Sequence, residues 1–178
     1  ATAGNTGLGL ALIATLKGYK IILVIPDKMS LEKMAHLKAL GAEIRVTRSD
    51  VEKGHPEYYQ DLAKSISEQI PNSFYINQFS NLANPLSHEL STGPEIWEQM
   101  NHQVDAIVCG VGSGGTLTGL TNYFAKVSPK TKFILADPQG SILTEYIKSK
   151  KLGTAGSWLV EGVGEDFIPD IADLSGVH

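Results

Sequence analysis

Two turns built from small residues carry the chemistry that this sequence can support. Thr2-Ala3-Gly4-Asn5-Thr6-Gly7 opens one apolar helical stretch, and Gly110-Val111-Gly112-Ser113-Gly114-Gly115-Thr116 opens another. The start of a helix leaves backbone N–H groups unpaired at the positive end of the helix dipole. Such an end binds anions, and glycine lets their oxygens come close to the backbone. In the second turn Ser113 and Thr116 add hydroxyl donors, and a strand precedes the turn, which is the setting of a phosphate cradle. Either turn alone is equally well explained by the steric demands of a tight connection. Together, each furnished with hydroxyl or amide side chains, they favour two anionic groups, one per turn.

The elements that must position these turns follow from the hydrophobic pattern, which alternates helices with short apolar runs. That is the pattern of an α/β protein with largely parallel strands. A helix is expected from Thr6 to Lys17, apolar nearly all round and therefore buried, with Gly18 at its C-terminal end. A strand follows over 20–25, then a helix through Leu40 with Ser30 as its N-cap, and a strand from Glu43 to Thr47. A helix near 57–69 leads to a third strand, Phe74 to Ile76. Residues 77–85 read as an asparagine-rich loop. Beyond it come a helix near 89–100, a strand over 104–109, a helix over 115–126, a strand over 132–136 and a short helix near 143–149. The loop is the natural crossover between two subdomains, 1–80 and 81–178.

Composition narrows the function classes. The chain has 178 residues, 42% hydrophobic and 19% charged, which suits a globular protein with a substantial core. Its net charge is -4 and its basic residues form no dense cluster, so neither nucleic acid nor an anionic membrane is the expected partner. No apolar run approaches the ~20 residues that span a bilayer. Cys109 is the only cysteine, which excludes an intrachain disulfide and points to a reducing, cytoplasmic compartment. Cys109, Trp97 and Trp158 read as packing residues. His36, His55, His88, His102 and His178 lack metal-ligand spacing and read as surface or capping residues, so no metal is expected. Glu161, Glu165 and Asp166 form an exposed acidic loop, a selector of a second substrate, or an acid–base cluster.

Several segments together resemble one family. Thr2 to Gly7 resembles the T-[SA]-G-N-T-G asparagine loop of the cysteine synthase and cystathionine β-synthase family, and Gly112 to Thr116 resembles its G-[ST]-G-G-T loop. Gln78-Phe79 with Asn81, Asn84 and Pro85 is similar to its Q-[FY]-x-N-x-x-N-P segment, and Met29 to Ala42 to its M-S-x-E-K-x-x-x-L-x-x-L-G-A stretch. The resemblance implies a fold type II pyridoxal-phosphate enzyme, with two subdomains of largely parallel twisted sheets flanked by helices, like the tryptophan synthase β chain. It implies that Gly112, Ser113, Gly114, Gly115 and Thr116 hold the phosphate of pyridoxal 5'-phosphate and that Asn5 meets its ring hydroxyl. Thr2, Ala3, Thr6 and Gln78 would hold the substrate carboxylate. Residues 1–80 would then belong to a substrate-binding subdomain and 81–178 to a cofactor-phosphate subdomain. A homodimer acting on small amino-acid and thiol substrates is the implied assembly.

The implied reaction is β-replacement on serine or an activated serine, with homocysteine as the thiol and cystathionine as the product. Asp137 to Leu143 and Val160 to Pro169 look most like the bacterial cystathionine synthases, because cysteine synthases tend to carry glutamine at the Glu161 position and no acid at Asp166. Animal-type cystathionine synthases usually carry tyrosine where Glu165 and Phe79 stand, so cysteine synthesis from O-acetylserine and sulfide is the alternative. The family's S-x-K-D-R motif, whose lysine anchors the cofactor, does not occur here, nor does its G-[GS]-S-[SAG]-G segment. The chain therefore reads as an internal piece with no catalytic residue of its own, expected not to turn over alone. Two rivals remain. One is a nicotinamide-dependent short-chain dehydrogenase, suggested by Thr2 to Gly9, Asp27 and the Tyr146–Lys150 spacing. The other is a non-catalytic relative.

Overall fold

The structure, a computed structural model, describes residues 1–2 and 4–178. The chain divides into two compact units, Ala1–Asn77 and Gln78–His178. Each is an α/β unit in which a two-stranded parallel sheet is flanked by helices.

In the first unit, α1 (Asn5–Lys17) is followed by β1 (Ile22–Pro26), α2 (Leu31–Ala39), β2 (Glu43–Thr47) and α3 (Tyr59–Gln69). β1 and β2 pair in parallel, in register from Ile22 opposite Glu43 to Pro26 opposite Thr47. Parallel strands need a crossover, and α2 supplies it. Its start is fixed by Ser30, whose Oγ accepts from the Lys33 N–H at 3.3 Å. Gly18 ends α1 in the left-handed conformation at φ 71°, which a side chain would strain. Ala11, Leu23, Ile25, Met29, Leu37 and Ala42 form the core.

Two expectations fail in this unit. α1 is not buried all round. Only Gly7, Ala11 and Ala14 are buried, while Leu12, Ile13 and Leu16 are exposed. The small side chains share one stripe of the helix, and a two-stranded sheet covers one side of it. Phe74 to Ile76 is not a strand either. Without a partner ladder among the described residues, its backbone gains nothing from pairing, and Phe74 is exposed.

The second unit contains α4 (Ala83–Ser87), a π-helical turn (His88–Thr92), α5 (Gly93–Gln99), β3 (Ala106–Cys109), α6 (Gly115–Val127), β4 (Lys132–Leu135) and α7 (Leu143–Ser149). β3 and β4 pair in parallel, Ala106 opposite Lys132 through Cys109 opposite Leu135. The segment read as a loop over 77–85 instead turns at 78–80 and is already helical at Ala83. Asn81 Oδ1 accepts from the Ala83 N–H at 3.0 Å. Pro85 lies in the first helical turn, where its missing N–H has no partner to lose. From there α4, the π turn and α5 run without a break.

This helical run packs closely on α6 because glycine stands on both sides. A Cβ at Gly119 would overlap Pro85 O and come within 2.6 Å of His88 Cβ, and one at Gly93 would lie 2.7 Å from Tyr123 Cγ. Beneath lies the core of Val111, Leu117, Leu120, Phe124, Phe133, Leu143, Leu174 and Val177. Trp97 meets Phe124 edge-on with ring centroids 5.8 Å apart, the packing role read from its sequence. The buried Thr118 hydroxyl donates to Ile171 O and accepts from Asp173 N, both at 2.9 Å, tying the C-terminal segment to α6. No helix among the described residues is long and apolar enough to cross a membrane.

The glycines separate cleanly by what surrounds them. Gly9 is exposed in α1 with nothing near its Cβ position, so Gly9→Ala is expected to stabilise the protein by about 0.5–1 kcal/mol. Gly119→Ala is expected to destabilise it by about 1–3 kcal/mol, as overpacking does. Urea denaturation reads both, and equal effects would contradict the packing described.

Candidate functional site

The turn between β3 and α6 is closely enclosed by the segment 162–172. A Cβ at Gly112 would lie 2.5 Å from Gly162 O, one at Gly110 2.7 Å from Val163 Cγ1, and one at Gly114 2.5 Å from Ala172 Cβ. Gly114 also caps α6 with φ 85°, the left-handed region. The wall opposite is held in place: Gly164 N–H donates to Val111 O at 2.8 Å, and Glu165 N–H donates to Ser141 Oγ at 3.1 Å. α6 has thirteen residues and no acidic side chain in its own first turn, which leaves the positive end of its dipole uncancelled from within the helix, while Glu165 Oε1 lies 3.9 Å from the Cβ position of Gly112. Ser113 is half-buried in the turn, and Thr116 is exposed at the start of the helix. This donor set fits a phosphate group.

Two residues that the sequence did not single out as functional reach this turn from α4 and the π turn. Asn84 Nδ2 donates to Ser113 Oγ and to Gln78 O, each at 2.9 Å. His88 Nε2 shares a hydrogen bond with Thr116 Oγ1 at 3.0 Å, and its Nδ1 shares one with Thr92 Oγ1 at 2.9 Å. Partial burial holds the His88 imidazole below the usual histidine value, so it is neutral at physiological pH. The surface-or-capping reading of His88 therefore gives way to a bridge between two threonines. The i, i+4 spacing of Asn84 and His88 was the available signal, hidden because that stretch read as loop rather than helix.

Gln78, which the resemblance assigns to the carboxylate with Thr2, Ala3 and Thr6, falls in the second unit, where its carbonyl accepts from Asn84. Cys109 is half-buried at the end of β3 and packs on the core, and burial pushes its thiol up, away from the reactive thiolate.

In the first unit, Thr2 lies buried beneath the turn into α1. Its N–H donates to Val24 O at 3.1 Å, and its Oγ1 accepts from Gly4 N at 3.2 Å and Gly7 N at 3.3 Å. The Thr2 hydroxyl thus builds the turn from inside. Gly7 is required beside it, since a Cβ there would lie 2.5 Å from Thr2 Cγ2. Asn5 and Thr6 stand exposed at the start of α1, whose first turn carries no acidic residue. Ala3 lies outside the described residues.

A strand–turn–helix unit with a glycine-rich turn stands in the second unit, and a second helix-opening turn in the first. Residues 1–178 match the family model described as pyridoxal-phosphate dependent enzyme, and the chain belongs to that family. It is 43% identical to the cystathionine beta-synthase of Apis mellifera over 172 residues, 97% of this chain and 34% of that protein. It is likewise 43% identical to the cystathionine beta-synthase of Rattus norvegicus, over 99% of this chain and 31% of that one. Cysteine synthase 1 of Emericella nidulans is 42% identical over 98% of this chain and 49% of its own length. The chain thus spans between about a third and a half of these relatives. The family membership displaces the nicotinamide reading. Tyr146 and Lys150 sit at α7 and its C-terminal end, with Lys150 Nζ 5.7 Å from the Tyr146 ring centroid.

Two outcomes test this geometry. In the cofactor-free protein, NMR titration of the His88 ring is expected to give a value below the ordinary ~6.5. The unfolded chain then takes up the proton first as pH falls below ~6.5, so the His88 contribution to stability is present above that pH. It is lost as pH falls towards the folded value; a ring titrating at or above 6.5 would refute the burial argument. Gly112→Ala is expected to displace residues 162–164 and to weaken binding of inorganic phosphate about ten-fold or more. Isothermal titration calorimetry reads that loss.

Proposed function

We propose that this chain supplies the cofactor-phosphate and substrate-carboxylate binding parts of a β-replacement enzyme. The enzyme condenses serine, or an activated serine, with homocysteine to give cystathionine. The observation that carries the reading is the turn from Gly112 to Thr116: close-packed glycines, two hydroxyls and the start of a long helix whose own first turn carries no acid. When bound, pyridoxal phosphate supplies the electron sink that eases loss of the α-proton and of the β-substituent. The protein's share is to bind and to orient.

In this reading the Gly112, Gly114 and Gly115 backbone and the Ser113 and Thr116 hydroxyls hold the phosphate. Asn5 donates to the cofactor's ring oxygen. Thr2, Ala3, Thr6 and Gln78 meet the carboxylate, and Thr2 also keeps the first turn in shape through its bonds to Gly4 and Gly7. Residues 1–80 thus serve the substrate and 81–178 the cofactor phosphate. None of the lysines present stands in the S-x-K-D-R context that the resemblance assigns to the cofactor anchor. Two cystathionine beta-synthases at 43% identity and the acids Glu161 and Asp166 support cystathionine synthesis. A cysteine synthase at 42% identity supports O-acetylserine and sulfide as the alternative pair. One free cysteine supports a reducing cytoplasmic setting, and the exposed Leu82, Leu86 and Leu90 support assembly as a homodimer.

The protein expressed from its complete gene is expected to bind pyridoxal 5'-phosphate and to make cystathionine from serine and homocysteine. That rate should exceed the rate of cysteine formation from O-acetylserine and sulfide. The opposite order of rates would reassign the enzyme to cysteine synthesis.

A further inference from the structure

Asn84 occupies a junction that its chemistry explains. Its amide faces both Gln78 O and Ser113 Oγ at 2.9 Å. A carbonyl oxygen can only accept, so the Nδ2 end must point at Gln78, and the remaining amide hydrogen goes to Ser113. That donor takes one lone pair of the Ser113 hydroxyl, so the hydroxyl proton must point elsewhere. Among the described residues nothing accepts it. The Oδ1 end of the same amide lies against Gly115, where a Cβ would overlap it. One side chain therefore orders a carbonyl, a hydroxyl and the first residue of α6.

We propose that Asn84 is a positioning residue that aims the Ser113 hydroxyl proton at a phosphate monoester held by the turn from Gly112 to Thr116. The proposal rests on the phosphate reading of that turn. An asparagine suits the task because it donates twice without bringing charge. Aspartate has nearly the same shape and the opposite polarity. It would accept the Ser113 proton, face the Gln78 carbonyl with a second acceptor and place a negative charge beside the anion. The same geometry ties the backbone at Gln78 to the phosphate turn, so a shift at one is felt at the other.

The test uses the protein expressed from its complete gene, stripped of cofactor. Binding of inorganic phosphate, pyridoxal 5'-phosphate and phosphate-free pyridoxal is measured for the native protein and for Asn84→Asp, Asn84→Ser and Ser113→Ala. Asn84→Asp and Asn84→Ser are expected to weaken the two phosphate-bearing probes about ten-fold or more while leaving pyridoxal unchanged. The ³¹P resonance of the bound cofactor should move in both. Asn84→Ser should add little to the loss already caused by Ser113→Ala, since both remove the same hydrogen bond. Equal losses for pyridoxal and its phosphate would mark a merely structural role and overturn the proposal, as would fully additive losses. Should neither Asn84 variant fold, Ser113→Ala decides alone: unchanged phosphate affinity there overturns it. If the native protein binds neither phosphate-bearing probe, the phosphate reading of the turn itself is lost, a different result from an indifferent Asn84.

Discussion

Close packing against glycine around the start of α6 is the constraint on which the second unit depends. The Cβ positions of Gly112, Gly114, Gly115 and Gly119 are taken by Gly162, Ala172, Asn84 and Pro85. Removing those side chains lets the segment 162–172 and the helical run from Ala83 approach the turn from different directions. The approach is then held by bonds that need no flexible side chain, such as Gly164 N–H to Val111 O. Glycine usually loosens a chain because it loses most entropy on folding. Here the missing side chains allow contacts that make the turn rigid.

Rigidity at that place has electrostatic value. A helix start attracts an anion only weakly where water and mobile side chains screen it. Held donors in a fixed shape lose little on binding. Ser113 and Thr116 are each fastened by a neighbour, Asn84 and His88, that leaves the cradle without added charge. The turn into α1 is built differently. Its Thr2 is buried and holds the turn from beneath, while Asn5 and Thr6 remain on the surface. One turn is stiffened from both sides, and the other is shaped from inside.

Much of this was legible along the chain because local rules dictated it. Ser30 caps α2, Gly18 ends α1, and β2 and α7 run over the residues that the pattern indicated. The misreadings share a cause. Asparagine and proline over 77–85 are punctuation in a sequence, yet a helix start accepts both, since Asn81 accepts from the first turn and Pro85 has no N–H to waste. Phe74 to Ile76 has the composition of a strand, but a strand exists only where another pairs with it. α1 has the composition of a buried helix, but burial depends on what is present to cover it.

By itself the sequence determined the α/β alternation, the positions of both glycine-rich turns and the family, because these rest on residue type and spacing. The tertiary structure alone decided that Asn84 and His88 stand at the turn into α6 and that Thr2 faces inward. It also decided that Gln78 belongs with the second unit rather than the first. Those are statements about which atoms meet across many residues of chain. Such meetings follow from close packing and hydrogen-bond geometry, which no local pattern encodes.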